Sequence, residues 1–147
     1  MLRTDDGGAS WERVEAPIWG RVNALSFVDA EHGWAAAEDW GADGDTARGT
    51  ILVTDDGGRT WAPQATAAEV LTSVSMDVNG SGWAFGVAGT ALTTKDDGAT
   101  WQTVSSGTDN ALRACWVPSP GAGLGDAVTG WVVGDGGTIL SLDAAAH

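Results

Sequence analysis

Three eight-residue segments of this 147-residue chain, Thr4 to Trp11, Thr54 to Trp61 and Thr94 to Trp101, share the pattern T-x-D-x-G-x-[ST]-W. A second pattern interlocks with it. Gly33-Trp34, Gly82-Trp83 and Gly130-Trp131 are each followed by Gly-Thr-x-Leu, at Gly49 to Leu52, Gly89 to Leu92 and Gly137 to Leu140. A recurrence of this kind constrains the fold more than any composition, because each copy is one supersecondary unit that buries its apolar face only by stacking on its neighbours.

The spacings separate rigid steps from free ones. From the second glycine to the box tryptophan the step is 12 residues in both complete copies, Gly49 to Trp61 and Gly89 to Trp101. Phe27 to Gly33 and Met76 to Gly82 are both 6, and the spacing sets Trp116 as the counterpart of Phe27 and Met76. Two steps are longer than their counterparts, Gly33 to Gly49 and Trp116 to Gly130. Loops absorb such insertions and strands do not. Within each copy four short runs with strand character are bounded by Gly and Asp turns, as in Leu25-Ser26-Phe27-Val28, Gly33-Trp34-Ala35-Ala36 and Thr50 to Thr54, with a fourth from Trp61. Four strands in about 40 to 50 residues make a propeller blade, and helical periodicity is nowhere sustained. The expected fold is all-β, in blades of four antiparallel strands, with about three blades in one domain over 1–147. The repeats fall at about 22–64, 70–104 and 111–142, with an N-terminal strand at 11–14.

The recurring box has a local physical meaning. An Asp two residues ahead of a glycine is turn chemistry, with the carboxylate accepting backbone N–H groups and the glycine adopting positive φ. Asp6, Asp56 and Asp96 are therefore read as turn-makers, and Gly8, Gly58 and Gly98 as the residues that permit the turn. Thr4, Thr54 and Thr94 open each box. Ser10, Thr60 and Thr100 add a hydroxyl across the turn, and Trp11, Trp61 and Trp101 are expected to bury their rings beneath the hairpin. A calcium loop needs six or more converging oxygens, whereas one Asp recurs here among glycines. The sequence calls for no metal and no cofactor.

The box, with G-W-A-x-G-x-x-G-T-I-L ahead of it, resembles the Asp-box (BNR) repeat in the form found in the photosystem II stability and assembly factor family, and the resemblance covers almost the whole chain. It implies a seven-bladed, non-enzymatic assembly scaffold placed in the thylakoid lumen or another extracytoplasmic compartment, with a protein or peptide partner. Many bacterial relatives have no assigned role in photosynthesis. This chain has too few blades for that pattern, and no functional residue beyond the box carries over.

Asp-box propellers also include glycosidases, so a carbohydrate-binding or glycoside-hydrolase-like fragment is the competing reading. The sialidase version needs a tyrosine nucleophile, and this chain has no tyrosine. A two-carboxylate site would draw on 20 acidic residues, the best placed of which sit in box turns. His32, just ahead of Gly33-Trp34, reads as a turn residue, and the single Cys115 as a small buried side chain. A net charge of -13 repels phosphate backbones and anionic headgroups, which argues against nucleic acid and membrane surfaces. No run approaches a membrane span, and the first residues lack the basic and then apolar pattern of a secretory signal.

The candidate binding loop is the longer insertion around Glu38, Asp39, Trp40, Asp43 and Asp45, acidic and carrying a tryptophan suited to a basic peptide or a sugar ring. The other insertion, around Pro118 to Gly123, reads as a flexible loop. Extending the repeat places Ala144 where the last blade needs its box Asp, so that blade lacks a box and a fourth strand. The strand from Trp11 to Val14 is the missing piece. Three blades fall short of a closed ring, which implies either a homodimer joined through its ends or association with further blades.

Overall fold

A computed structural model describes residues 1–42, 44–117 and 128–143. The chain forms three antiparallel sheets and a short hairpin, with 3-10 turns at Val87–Gly89 and Asp135–Gly137 as the helical content among the described residues. The hairpin pairs β1 (Leu2–Arg3) with β2 (Glu12–Arg13). Blade 1 has strand order β3 (Gly20–Phe27), β4 (Gly33–Asp39), β5 (Arg48–Thr54), β6 (Ala62–Ala67). Blade 2 repeats it with β7 (Leu71–Met76), β8 (Gly82–Gly86), β9 (Thr90–Thr94) and β10 (Gln102–Ser105). Among the described residues blade 3 holds three strands, β11 (Leu112–Trp116), β12 (Val128–Gly134) and β13 (Ile139–Asp143). This is the expected all-β architecture of propeller blades.

The core lies between the sheets. One cluster joins Trp34, Ala36 and Ile51 of blade 1 to Leu71, Val74 and Met76 of blade 2. A second joins Trp83, Phe85 and Ala91 of blade 2 to Leu112 and Val132 of blade 3. Alternate residues of each strand face opposite neighbours, so both faces of a sheet must be apolar. The short Ala-rich run of β4 meets that demand, with Ala35, Ala36 and Ala37 all fully buried.

The first strand of each blade carries an irregularity at the same place, between Val22 and Ala24, Leu71 and Ser73, and Leu112 and Ala114. The extra residue of a bulge is re-aimed out of the ladder. In blade 1 the Asn23 side-chain amide donates to the Leu71 carbonyl at 2.7 Å, and in blade 2 the Thr72 hydroxyl donates to the Leu112 carbonyl. Further along, Ser26 Oγ accepts from the Met76 N–H at 3.0 Å and Ser75 Oγ from the Val117 N–H at 3.2 Å. Successive blades are thus stitched side chain to backbone along their first strands.

This register corrects one equivalence drawn from spacing. Phe27 pairs with Gly33 and Met76 with Gly82, but Trp116 pairs with Trp131. Trp116 therefore stands where Ser26 and Ser75 stand, and Val117 is the counterpart of Phe27 and Met76. Counting residues placed the aromatic one at the conserved step; hydrogen-bond register places it one earlier, on the side facing away from blade 2. A second correction concerns the box tryptophans. Trp61 and Trp101 are half-buried, while Trp11 is 59% exposed. Among the described residues no strand closes over its ring. Pro118 to Gly123 and Ala144 lie outside the described residues.

Candidate binding site

The three boxes share one hydrogen-bond plan. In the second, Thr54 Oγ1 donates to Asp56 Oδ1 at 2.8 Å and accepts from the Gly58 N–H at 2.9 Å. The Thr60 N–H donates to Asp56 Oδ1 at 2.9 Å, and the Thr60 hydroxyl to Oδ2 at 2.6 Å. Thr4, Asp6, Gly8 and Ser10 repeat this network, as do Thr94, Asp96, Gly98 and Thr100. Gly8, Gly58 and Gly98 have φ of 94°, 80° and 78°, so each needs a residue without a Cβ. Donation from the Thr60 hydroxyl and N–H holds the Asp56 carboxyl down at about 2, and the Ser10 and Thr100 donors lower Asp6 and Asp96 in the same way. Both oxygens of each box carboxylate accept from the box's own donors, which fixes the turn rather than presenting a general acid or base.

The box turns also lock neighbouring blades. Gln64 Oε1 on β6 accepts from Trp34 Nε1 at 3.1 Å and from Trp101 Nε1 at 3.5 Å, joining the second strand of blade 1 to the box of blade 2. His32 and Cys115 play local parts. Asp29 Oδ1 accepts from the backbone N–H groups of Glu31 and His32, and Asp29 Oδ2 lies 2.8 Å from His32 Nδ1, a closed turn that raises the imidazole pKa. Burial pushes the Cys115 thiol up to about 11, beside Ser73 Oγ at 3.0 Å. A thiol held that high is not a nucleophile at neutral pH.

The insertion loop is only partly a loop. Glu38 and Asp39 end strand β4, opposite Gly49 and Arg48, and the connection to β5 runs over residues 40–47. Glu38 is buried and bonded by Arg21 Nε at 2.8 Å, so it is a strand-end ion pair rather than a free loop carboxylate. Trp40 is 42% exposed and Asp45 is exposed, while Asp43 lies outside the described residues. Asp39 organises the tip, its Oδ1 accepting from the Trp19 N–H at 2.9 Å and the Gly41 N–H at 3.1 Å. The Trp40 N–H donates to the Trp19 carbonyl at 3.1 Å, one step beyond the Gly20–Asp39 pair.

Trp19, 72% exposed, is thus set opposite Trp40 at the end of blade 1. Residues directly opposite in an antiparallel pair project to the same side of the sheet. Sequence reasoning missed Trp19. Its signal was positional: it directly precedes the first strand of blade 1, which ends up beside the insertion. The boxes and this tip are separate places, since the boxes join third to fourth strands and the tip joins second to third.

Comparison with known proteins completes the picture. The sequence model of the photosynthesis system II assembly factor YCF48 family matches residues 4–112, more than half of the chain. The chain is 37% identical over 60 residues to the chloroplastic photosystem II stability/assembly factor HCF136 of Guillardia theta, over 40% of this chain and 13% of that protein. It is 32% identical over 54 residues to the photosystem II assembly protein Ycf48 of Thermosynechococcus vestitus, over 37% of this chain and 13% of that one. The structure of YCF48 bound to a D1 peptide superposes with a TM-score of 0.64 at 24% identity, covering 90% of this chain and 40% of that one, which shows a shared fold. The matches therefore span well under half the length of these relatives. Repeat, register and sequence agree that the chain belongs to the family of the photosynthesis system II assembly factor YCF48.

Proposed function

We propose that this chain is a non-enzymatic propeller module of an assembly factor, which holds a segment of a client protein at the Trp19–Trp40 end of blade 1. The observation that carries this reading is the tip itself. Two exposed tryptophans stand at opposed strand ends, on a backbone that three hydrogen bonds through Asp39 and the Trp19 carbonyl hold in place. Rigid aromatic side chains give contact area at low entropic cost, which is what a recognition surface needs. A similar propeller, YCF48, is bound to a D1 peptide, and this supports a peptide as the partner here. The net charge of -13 and the carboxylates near the tip favour a basic segment, with a Lys or Arg against an indole face.

The test is fluorescence anisotropy of labelled peptides of basic and acidic composition against the intact protein. Basic peptides are expected to bind, and Trp19→Ala with Trp40→Ala to weaken binding by roughly tenfold or more without moving the melting temperature. Binding that is indifferent to both substitutions contradicts the reading. The box carboxylates serve as turn supports, so no sugar is expected from xyloglucan, and its release would favour a glycosidase instead.

A further inference from the structure

We infer that the client segment held at the Trp19–Trp40 tip runs on as an extended strand against the free edge of β10, with alternate side chains entering a recess between blades 1 and 2. The inference rests on the peptide reading above and gives the bound segment a second contact and a backbone conformation.

The recess has a volume of about 520 Å³. Thr66 and Ala68 wall it at the end of β6, Thr90 at the start of β9, Thr103 and Ser105 on β10, and Asp109 in the connection that follows. It lies at the same end of the sheets as the tip. Neighbouring strands of each blade are antiparallel and follow chain order, so the connections after β4, β6, β8 and β10 share one end and the box turns share the other. Contacts between blades keep those ends in step. A Cβ at Gly49 would collide with the Glu69 carbonyl oxygen and stand 3.1 Å from the Ala67 Cβ, so the start of β5 presses on the β6–β7 connection. Arg48, one residue before, pairs with Asp39 of the tip. The base of the tip therefore adjoins the wall of the recess.

The edge of β10 fixes what can enter. β10 is the outermost strand of blade 2, and Gln102, Thr103 and Ser105 are exposed along it. Its ladder runs to β9, and among the described residues no backbone group pairs with its outer row of N–H and C=O groups. Such a row is a template for a further strand, with main-chain bonds for affinity and pockets for alternate side chains. Proline, charge and bulges blunt an edge, and β10 has none of them. The matching edge of blade 1 is blunted. β6 has Pro63 and an irregular register opposite Ile51 and Leu52, and its Gln64 is taken by the indoles of Trp34 and Trp101.

Thr103 pairs with Leu92, which is buried in the cluster shared with blade 1. Thr103 and Ser105 therefore face blade 1, and a strand laid outside β10 turns every second side chain into the recess. The lining is hydroxylic. The side chains of Thr66, Thr90, Thr103 and Ser105 have no hydrogen-bond partner among the described residues, and exposed Asp109 has no ion-pair partner among them. A segment of short polar residues with a Lys or Arg to meet Asp109 matches this lining, and a cation is also what the tip favours.

The probe is a labelled peptide of alternating Thr and Lys, titrated into the full 147-residue protein. Fluorescence anisotropy reads its affinity, and hydrogen exchange of the protein with and without peptide reads its place. Slower exchange is expected at Gln102 to Ser105 and not at Ala62 to Ala67. Thr103→Lys charges the edge and fills the recess, and is expected to weaken binding by roughly tenfold or more. The same peptide N-methylated throughout keeps its side chains but loses its main-chain donors, and a similar loss is expected on the unmodified protein, whose fold is untouched. Unchanged exchange along β10, with binding indifferent to Thr103→Lys and to N-methylation but weakened by the two tip substitutions, overturns this inference and leaves the tip as the site. Loss through β10 with the tip substitutions silent supports the edge and contradicts the tip. A peptide that does not bind the unmodified protein overturns both.

Discussion

Ile51 and Ile139 stand at the same position of the repeat, on the third strand of blades 1 and 3 and on the side that faces the following blade. Ile51 has no exposed surface and Ile139 is 71% exposed. The same contrast runs along the first strands. Asn23 and Ser26 in blade 1 and Thr72 and Ser75 in blade 2 link to the backbone of the next sheet, whereas blade 3 has Arg113 and Trp116 at those places. Arg113 instead forms a two-pronged pair with Asp135 of its own blade, at 2.9 and 2.6 Å. The comparison teaches that a blade's sheet is defined by its own hydrogen bonds, while its place in the stack is defined by whether the next sheet covers it.

The glycine of the box gives the largest way to sharpen this contrast. Gly98 and Gly8 have similar positive φ, so alanine strains the backbone at both. At Gly98, however, a Cβ would meet Gln64 Oε1 at 2.5 Å and Trp34 Nε1 at 2.8 Å, inside the junction of blades 1 and 2. At Gly8 it would meet only Trp11, at 3.6 Å. Gly98→Ala is expected to lower stability by about 1–3 kcal/mol more than Gly8→Ala in urea denaturation, the overpacking cost of a closed site. Equal losses would mean that the strain of the turn alone decides, and the comparison of covered and open boxes would fail.

A smaller effect comes from acid. The Asp56 carboxyl falls from 3.8 to about 2 on folding, so the stability it lends is present above 3.8 and is lost as pH drops toward about 2. The other two box carboxylates are lowered in the same direction. The melting temperature is expected to fall through that window, and Asp56→Asn to flatten part of the fall. An unchanged acid profile in the Asn variant would show that the Thr54 and Thr60 donors do not favour the ionised carboxyl.

Much of this fold was legible because its grammar is local. The box residues sit within eight positions of one another, and their hydrogen bonds close within the turn, so T-x-D-x-G-x-[ST]-W could be read as a device. Strand number and order followed from the same periodicity. What spacing could not supply was register. The bulge at Asn23, Thr72 and Arg113 depends on hydrogen bonding across strands, and it is the register that moves Trp116 off the Phe27–Met76 row. Nor could a pattern show that Trp11, identical in its box to Trp61, lies open, since cover is a property of the neighbouring sheet. The tip was half legible: Trp40 stood in a visible insertion, while Trp19 reached the site through pairing between segments that are 20 residues apart at Asp39. Glu38 was misread as loop because its Arg21 partner lies on another strand.

Stacking between sheets is the force that holds the blades in order, and the two isoleucines test it most directly. Urea denaturation of Ile51→Ala and Ile139→Ala should be followed by tryptophan fluorescence. Ile51→Ala is expected to cost about 2–5 kcal/mol, and Ile139→Ala less than about 0.5 kcal/mol. Losses of the same size at the two positions would contradict the account, because residues that are equivalent in the repeat would then be equivalent in energy whether or not a blade covers them.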